Sequence, residues 1–298
     1  MKGRPRRLGL RAHPSRPSFR RPSDLDWPGQ RCDPPSLDAP QGRSPEGPFG
    51  RQSLLRVRGL TRRFGGLVAL DRLDLELDAG RLLVVMGPNG AGKSTLVDLL
   101  TGYLRPTSGT FALDGVELTT APRWRLARAG IARTFQVPRP LVRFSVAENV
   151  RIAARHGSPP RPTRREALEF ADAILALTGL SRAAHLLASE LSLAELRRLE
   201  VARALATRPR LLLADEPLGG LNGADVVTGI DFLRQLATPE RGVVVIEHSV
   251  RAVLEVADEV AFLHHGRLLR RGPAPEVLAD RAVTEAYLGA GLLRRGIF

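Results

Sequence analysis

Lysine is nearly absent from this chain. It carries 45 lysine and arginine residues, yet only Lys2 and Lys93 are lysines. Cysteine is rarer still. Cys32 stands alone, which excludes an internal disulfide framework and fits a reducing compartment. No apolar run is longer than six residues, far short of the ~20 that a membrane-spanning helix needs. If the protein works at a membrane, another chain carries it there. What is present is 298 residues at 43% hydrophobic content with a net charge of +14. That is enough for a sizeable core in one large domain with extensions, or in two domains.

Residues 1–50 hold ten of the 23 prolines, ten cations and five acids. They show neither helical nor strand periodicity, so residues 1–52 are expected to be a disordered, basic Pro/Arg-rich extension. Arg6-Arg7 lacks the apolar stretch that a twin-arginine export signal requires. Scattered Pro/Arg tracts are ordinarily solvated, and no specific nucleic-acid partner is expected. Residues 290–298 read as a C-terminal tail without a usable motif.

In so arginine-biased a chain, the position of Lys93 is informative. It sits in Gly87-Pro88-Asn89-Gly90-Ala91-Gly92-Lys93-Ser94-Thr95, the phosphate-binding pattern G-x-x-x-x-G-K-[ST]. A compact ammonium on a flexible stem reaches between phosphate oxygens where a planar guanidinium fits poorly. Leu82 to Met86 reads as a buried parallel strand, and Leu96 to Leu100 as a helix ending near Gly102. Strand, loop and helix N-terminus together aim backbone N–H groups and the positive helix end at phosphate. Ser94 is then the expected Mg²⁺ ligand. A guanine reader of the form Asn-Lys-x-Asp cannot exist, because the body of the chain has no other lysine.

Leu54–Leu60 and Leu73–Leu77 alternate as half-buried strands do. Ser108–Gly115 reads as strand and turn, Arg123–Leu126 as helix, and Ile131–Gln136 as a strand. Residues 145–205 are helical in pattern, broken at 157–162 and near Gly179. Leu211–Ala214 and Val243–Ile246 are further buried parallel strands, each followed by a helix, which implies an α/β core. The strand Leu211–Ala214 ends in Asp215-Glu216. Asp215 is placed to hold Mg²⁺ through water beside the P-loop serine. Glu216, aimed differently by the pleat, is placed to act as general base on an attacking water. His248 follows the next strand and is a candidate γ-phosphate contact.

The order P-loop, Gln136, Leu191-Ser192, Asp215-Glu216, His248 resembles the ATP-binding cassette (ABC) ATPases over residues 54–289. The resemblance implies an α/β P-loop NTPase cassette, with a RecA-like core, an antiparallel β subdomain and a helical subdomain insert at about 138–205, the domain spanning 53–289. It implies ATP and Mg²⁺ as ligands. Gln136 becomes a Mg²⁺/water ligand and sensor of a transmembrane partner, Phe64 the aromatic that stacks on adenine, and His248 the switch histidine. Gly219-Gly220-Leu221-Asn222 is similar to the D-loop. Two cassettes would sandwich two ATPs head to tail, Ser192 serving the partner's ATP. The expected partners are two transmembrane permease subunits, a second ABC ATPase subunit and, indirectly, an extracytoplasmic solute-binding protein. The expected location is the cytoplasmic face of the membrane.

Arg133-Thr134-Phe135-Gln136, Val146-Ala147-Glu148-Asn149-Val150, Gly220-Leu221-Asn222, Glu247-His248 and Ala286-Tyr287-Leu288-Gly289 are similar to branched-chain amino-acid importer ATPases and related urea/short-amide importers. The lipopolysaccharide-exporter ATPase is an alternative relative, against which Phe135 argues. One departure matters. The family signature L-S-G-G-Q is Leu191-Ser192-Leu193-Ala194-Glu195 here. Ala194 adds a methyl where backbone approaches phosphate, and Glu195 sets a carboxylate near an anionic ligand. The expectation is a heterodimer with one good and one weak site, its second cassette a sister chain in preference to a second copy; the alternative is that Ala194 and Glu195 are tolerated in the signature and a homodimer forms. The remaining alternative is a hydrolysis-poor regulatory cassette.

Overall fold

The computed structural model describes residues 53–158, 162–217 and 223–288. The extension over 1–52, the tail from 290 and the loop Gly219–Asn222 lie outside the described residues. The chain opens with β1 (Leu55–Phe64) and β2 (Leu67–Leu77), an antiparallel hairpin. With β4 (Ser108–Leu113) and β5 (Val116–Glu117) they form a four-stranded sheet ordered β2-β1-β4-β5. The P-loop strand β3 (Leu82–Met86) belongs to a second, six-stranded sheet. It contains β6 (Ile131–Arg133), β7 (Leu211–Asp215), β8 (Gly242–Ile246), β9 (Glu259–His264) and β10 (Arg267–Gly272), ordered β10-β9-β3-β8-β7-β6. Its strands run parallel except at the β10 edge, which pairs antiparallel with β9.

Strand alternation splits the interior into two cores. Leu83 and Val85 of β3 join the core beneath the antiparallel sheet, together with Leu96 and Leu100 of α1 (Lys93–Leu100). Leu82, Val84 and Met86 point the other way, into a core shared with the helical insert. This period of two places β3 between both layers, and both hold the P-loop at its end. Next to β6 lies the short α2 (Arg123–Arg128).

The insert consists of α3 (Val146–His156), α4 (Arg164–Leu177) and α5 (Leu193–Ala206). Each begins with the same device. Ser145/Glu148, Thr163/Glu166 and Ser192/Glu195 are reciprocal capping boxes, in which the N-cap hydroxyl accepts from the N3 amide and the N3 carboxylate accepts from the N-cap amide. Buried Asn149 ties the preceding loop to α3, accepting from the Leu141 amide at 2.8 Å and donating to the carbonyls of Leu141 and Ser145 at 3.0 Å each. The remainder of the chain adds α6 (Gly223–Leu236), α7 (Val250–Val256), α8 (Ala274–Ala279) and α9 (Arg281–Leu288). Among the described residues, no helix is long and apolar enough to cross a membrane.

One expected element is shorter. The strand expected over 131–136 ends at Arg133. The Thr134 amide still donates to Leu213 (2.9 Å), and its hydroxyl accepts from the Asp215 amide (3.2 Å). Beyond it the sequence approaches Val137-Pro138, where proline has no ladder donor. Phe135 instead packs edge-on to Tyr103 at 6.1 Å and under the guanidinium groups of Arg133 and Arg139 at 4.6 and 4.9 Å.

Candidate active site

The P-loop turns through backbone conformations that side chains rarely allow. Gly87 has φ +147°, and a Cβ there would lie 2.2 Å from the Leu263 carbonyl oxygen. Gly92, the N-cap of α1, has φ +104°, and its Cβ would lie 2.6 Å from the Ala69 carbonyl oxygen. Only glycine passes both points. No side chain caps α1, so its first amides and the positive end of its dipole are left for an anion.

Lys93 is buried, and its ammonium donates to the carbonyls of Gly87 at 2.7 Å and Pro88 at 2.9 Å. Burial lowers its pKa, while Glu216 and Asp215 push it back up. The ammonium is thus held over its own loop by neutral acceptors, in a position that phosphate oxygens can take over.

An open cleft of about 330 Å³ lies in front of this loop. Phe64, Leu67 and Val68 of the β1–β2 hairpin line one side. Asn89, Gly90, Gly92, Lys93, Ser94 and Thr95 line the P-loop side, and Glu216 and His248 are also in its wall. The Phe64 ring is 42% exposed, and the Arg62 guanidinium stacks on it at 4.5 Å.

Glu216 lies one residue past the end of β7, at φ +47°. A left-handed turn, not the strand pleat, therefore redirects its side chain, at a cost of about 1 kcal/mol for a non-glycine residue. Both carboxylate oxygens are engaged. Gln136 Nε2 donates to Oε2 at 2.8 Å, and His248 Nε2 lies 2.7 Å from Oε1, a hydrogen bond in the tautomer protonated at Nε2. Residues 136, 216 and 248, distant in sequence, meet at this one carboxylate.

Asp215 is buried at the end of β7. Burial raises its pKa, as do Glu216 and Asp98, against the lowering pull of Arg133 and His248. Arg133, which sequence reasoning did not single out as a site residue, reaches Asp98 at 2.6 Å and Asp215 at 3.7 Å. It carries the positive charge that a buried carboxylate needs.

Ser192 is not part of this cleft. It caps α5, and its hydroxyl donates to Glu195 Oε2 at 2.7 Å while Glu195 Oε2 also takes the Ser192 amide at 2.9 Å. These bonds hold the Glu195 carboxyl below the usual carboxylate range. The signal was present in the sequence, because Ser-x-x-Glu before a helix is a capping box. The same residues also occupy the family signature position, so the cap and the signature overlap at Ser192 and Glu195.

The family model described as ABC transporter matches residues 70–219. The high-affinity branched-chain amino acid transport ATP-binding protein BraF of Pseudomonas aeruginosa is 36% identical over 253 residues, covering 79% of this chain and 98% of the relative. The probable branched-chain amino acid transport ATP-binding protein LivG of Methanocaldococcus jannaschii is 32% identical over 252 residues, covering 79% and 97%. Among solved structures, the ADP conformation of MJ1267, an ATP-binding cassette of an ABC transporter, superposes with a TM-score of 0.72 at 30% identity, covering 80% of this chain and 100% of that one. A nucleotide-free ATP-binding cassette from an ABC transporter gives 0.70 at 28% identity, with the same coverage. A glycine-cradled lysine, a strand-end carboxylate pair and a fold shared along the whole length of these cassettes make this chain an ATP-binding, ATP-hydrolysing member of the ABC transporter family.

Proposed function

We propose that the chain powers a membrane importer of small polar solutes, of the branched-chain amino-acid class, by hydrolysing ATP at the cleft between the β1–β2 hairpin and the P-loop. The observation that carries this is the Glu216 carboxylate, held between Gln136 and His248 in the wall of the cleft that Lys93 lines. The relatives named for branched-chain amino acid transport supply the solute class. In the proposed roles, Phe64 stacks on adenine. Gly87 to Gly92 cradle the phosphates, with Lys93, Ser94 and Thr95 completing the phosphate contacts. Glu216 accepts a proton from the attacking water, and His248 contacts the γ-phosphate.

The residues also fit Mg²⁺. Ser94, Gln136 and Asp215 offer a hydroxyl, an amide oxygen and a carboxylate, the oxygen ligands a hard cation prefers. Among the described residues no cluster of three or more His, Cys, Asp or Glu could hold a metal unaided. Phosphate and water oxygens would complete such a shell. Mg²⁺ held there would neutralise phosphate charge during hydrolysis.

The proposed partners are two transmembrane permease subunits, an extracytoplasmic solute-binding protein acting through them, and a second cassette. That cassette is a sister chain. Glu195 lies against the very hydroxyl with which Ser192 would serve the partner's ATP, and an ionised carboxylate there repels phosphate. The chain would then sit at the cytoplasmic face of the membrane, held by the permeases. Uptake of labelled leucine by cells that carry only Glu216→Gln in this subunit should fall to the level of cells lacking the subunit. Uptake at the parental rate would rule out the importer.

A further inference from the structure

His248 stands on the short link between β8 and α7 and is held at three points. Its amide donates to Glu247 Oε2 at 3.0 Å. Its ring lies 2.7 Å from the Glu216 carboxylate. Its carbonyl accepts the phenolic hydroxyl of Tyr287 at 2.7 Å. The first two partners are near the site or part of it. The third comes from α9, the last described helix of the chain, 39 residues away.

Tyr287 is itself well anchored. Its ring packs edge-on against Phe262 at 6.4 Å, and Phe262 is a fully buried residue of β9 in register with Met86, the residue that precedes the P-loop. α9 is fixed at its start, where Asp280 accepts from the Ala282 amide at 2.8 Å and pairs with Arg270 of β10 at 3.5 Å. A half-buried phenol thus spans from a rigid strand to the backbone of a loop whose histidine is 36% exposed at its side chain. Packing alone does not fix so exposed a ring; hydrogen bonds must.

We propose that Tyr287 is a positioning residue for ATP hydrolysis, its hydroxyl holding the His248 carbonyl so that the imidazole stays against Glu216. The proposal rests on the reading that Glu216 activates the attacking water, and it assigns a function to the C-terminal Ala-Tyr-Leu that the P-loop chemistry alone does not need. Tyr287 touches neither nucleotide nor water in this account and acts only through His248.

Tyr287→Phe keeps the ring and its packing on Phe262 and removes one hydroxyl. In the full-length chain it should lower kcat about three- to tenfold, the worth of one hydrogen bond, with KM for ATP unchanged within about twofold. On a His248→Ala background the same change should cost less than about twofold, because both act at one point. A purely structural role would give equal losses on both backgrounds. Long-range ¹H–¹⁵N spectra of the imidazoles give a readout independent of turnover. The His248 signals, assigned by their loss in His248→Ala, should move in Tyr287→Phe while those of His156 and His185 stay in place. Unmoved His248 signals, or the same factor lost on both backgrounds, overturn the proposal. If the chain carrying Ala194→Gly with Glu195→Gln, which supplies an intact signature, hydrolyses no faster than the same chain with Glu216→Gln added, the hydrolytic reading has failed, and the imidazole spectrum decides the positioning role by itself.

Discussion

Glu216→Gln should leave ATP binding intact and slow hydrolysis by about 10²- to 10⁴-fold, the usual worth of a positioned general base. The expectation follows from how the carboxylate is held. Its two oxygens meet Gln136 Nε2 at 2.8 Å and His248 Nε2 at 2.7 Å. A glutamine amide has the same shape. Its oxygen can accept from Gln136, and its NH₂ can donate to His248 in the other imidazole tautomer. The substitution therefore removes proton acceptance while preserving the hydrogen-bonded frame, and the Lys93 ammonium keeps its contacts with Gly87 and Pro88. Equilibrium binding of a fluorescent ATP analogue and steady-state phosphate release, measured on the same preparation, check both halves. A loss confined to binding, or a residual rate above about one tenth of the parent, would remove Glu216 from the role of base.

Lys93→Arg should weaken ATP binding by about 100-fold, although the charge is unchanged. Charge-assisted hydrogen bonds are worth about 1.5–3 kcal/mol each, and the ammonium is positioned to make two with phosphate oxygens in place of its two carbonyl contacts. Lys93 is 6% exposed. A guanidinium there would be a flat, bulkier group with five donors, more than the loop carbonyls can satisfy. The loop is tightly packed at both glycines, where a Cβ would lie 2.2 Å from the Leu263 carbonyl oxygen at position 87 and 2.6 Å from the Ala69 carbonyl oxygen at position 92, so little room is left for a compensating shift. Isothermal titration with ATP measures the loss. Affinity within about threefold of the parent would mean the ammonium's geometry is not what selects lysine in this arginine-rich chain.

What the sequence made legible was local. The P-loop could be read because its glycines, lysine and hydroxyls are consecutive. The strands β3, β7 and β8 could be read because residues buried on both faces leave unbroken apolar runs. The antiparallel strands were found but trimmed: β1 extends to Phe64 through irregular pairing near Gly59, which interrupts the alternation. Features that depend on distant partners were not legible. Arg133 bridges Asp98 and Asp215 only after β6 pairs with β7. The left-handed backbone at Glu216 has no marker in a chain where only glycine announces positive φ. Tyr287 lies in the Ala286-Tyr287-Leu288-Gly289 stretch that is similar to the importer ATPases, but its bond to the His248 carbonyl is a product of how α9 packs. Glu195 was read from sequence only as a signature substitution, although Ser-x-x-Glu before a helix is also a cap, and the cap became evident only with the Ser192–Glu195 bonds.

In the proposed heterodimer this chain supplies a competent catalytic half and a weakened signature half. Glu195 can be tested cleanly, since glutamine also completes a capping box with Ser192, and glycine at 194 costs at most about 1 kcal/mol of helix stability. The direct measurement is ATP hydrolysis by the purified chain as a function of its own concentration, for the parent, for Ala194→Gly with Glu195→Gln, and for that double variant carrying Glu216→Gln. All three should bind ATP, and the parent should hydrolyse it slowly. The double variant should rise faster than linearly with concentration to at least about tenfold the parental rate, and Glu216→Gln should abolish that gain. Equal rates in parent and double variant, or no Glu216-dependent hydrolysis by the double variant at any concentration, would contradict that division.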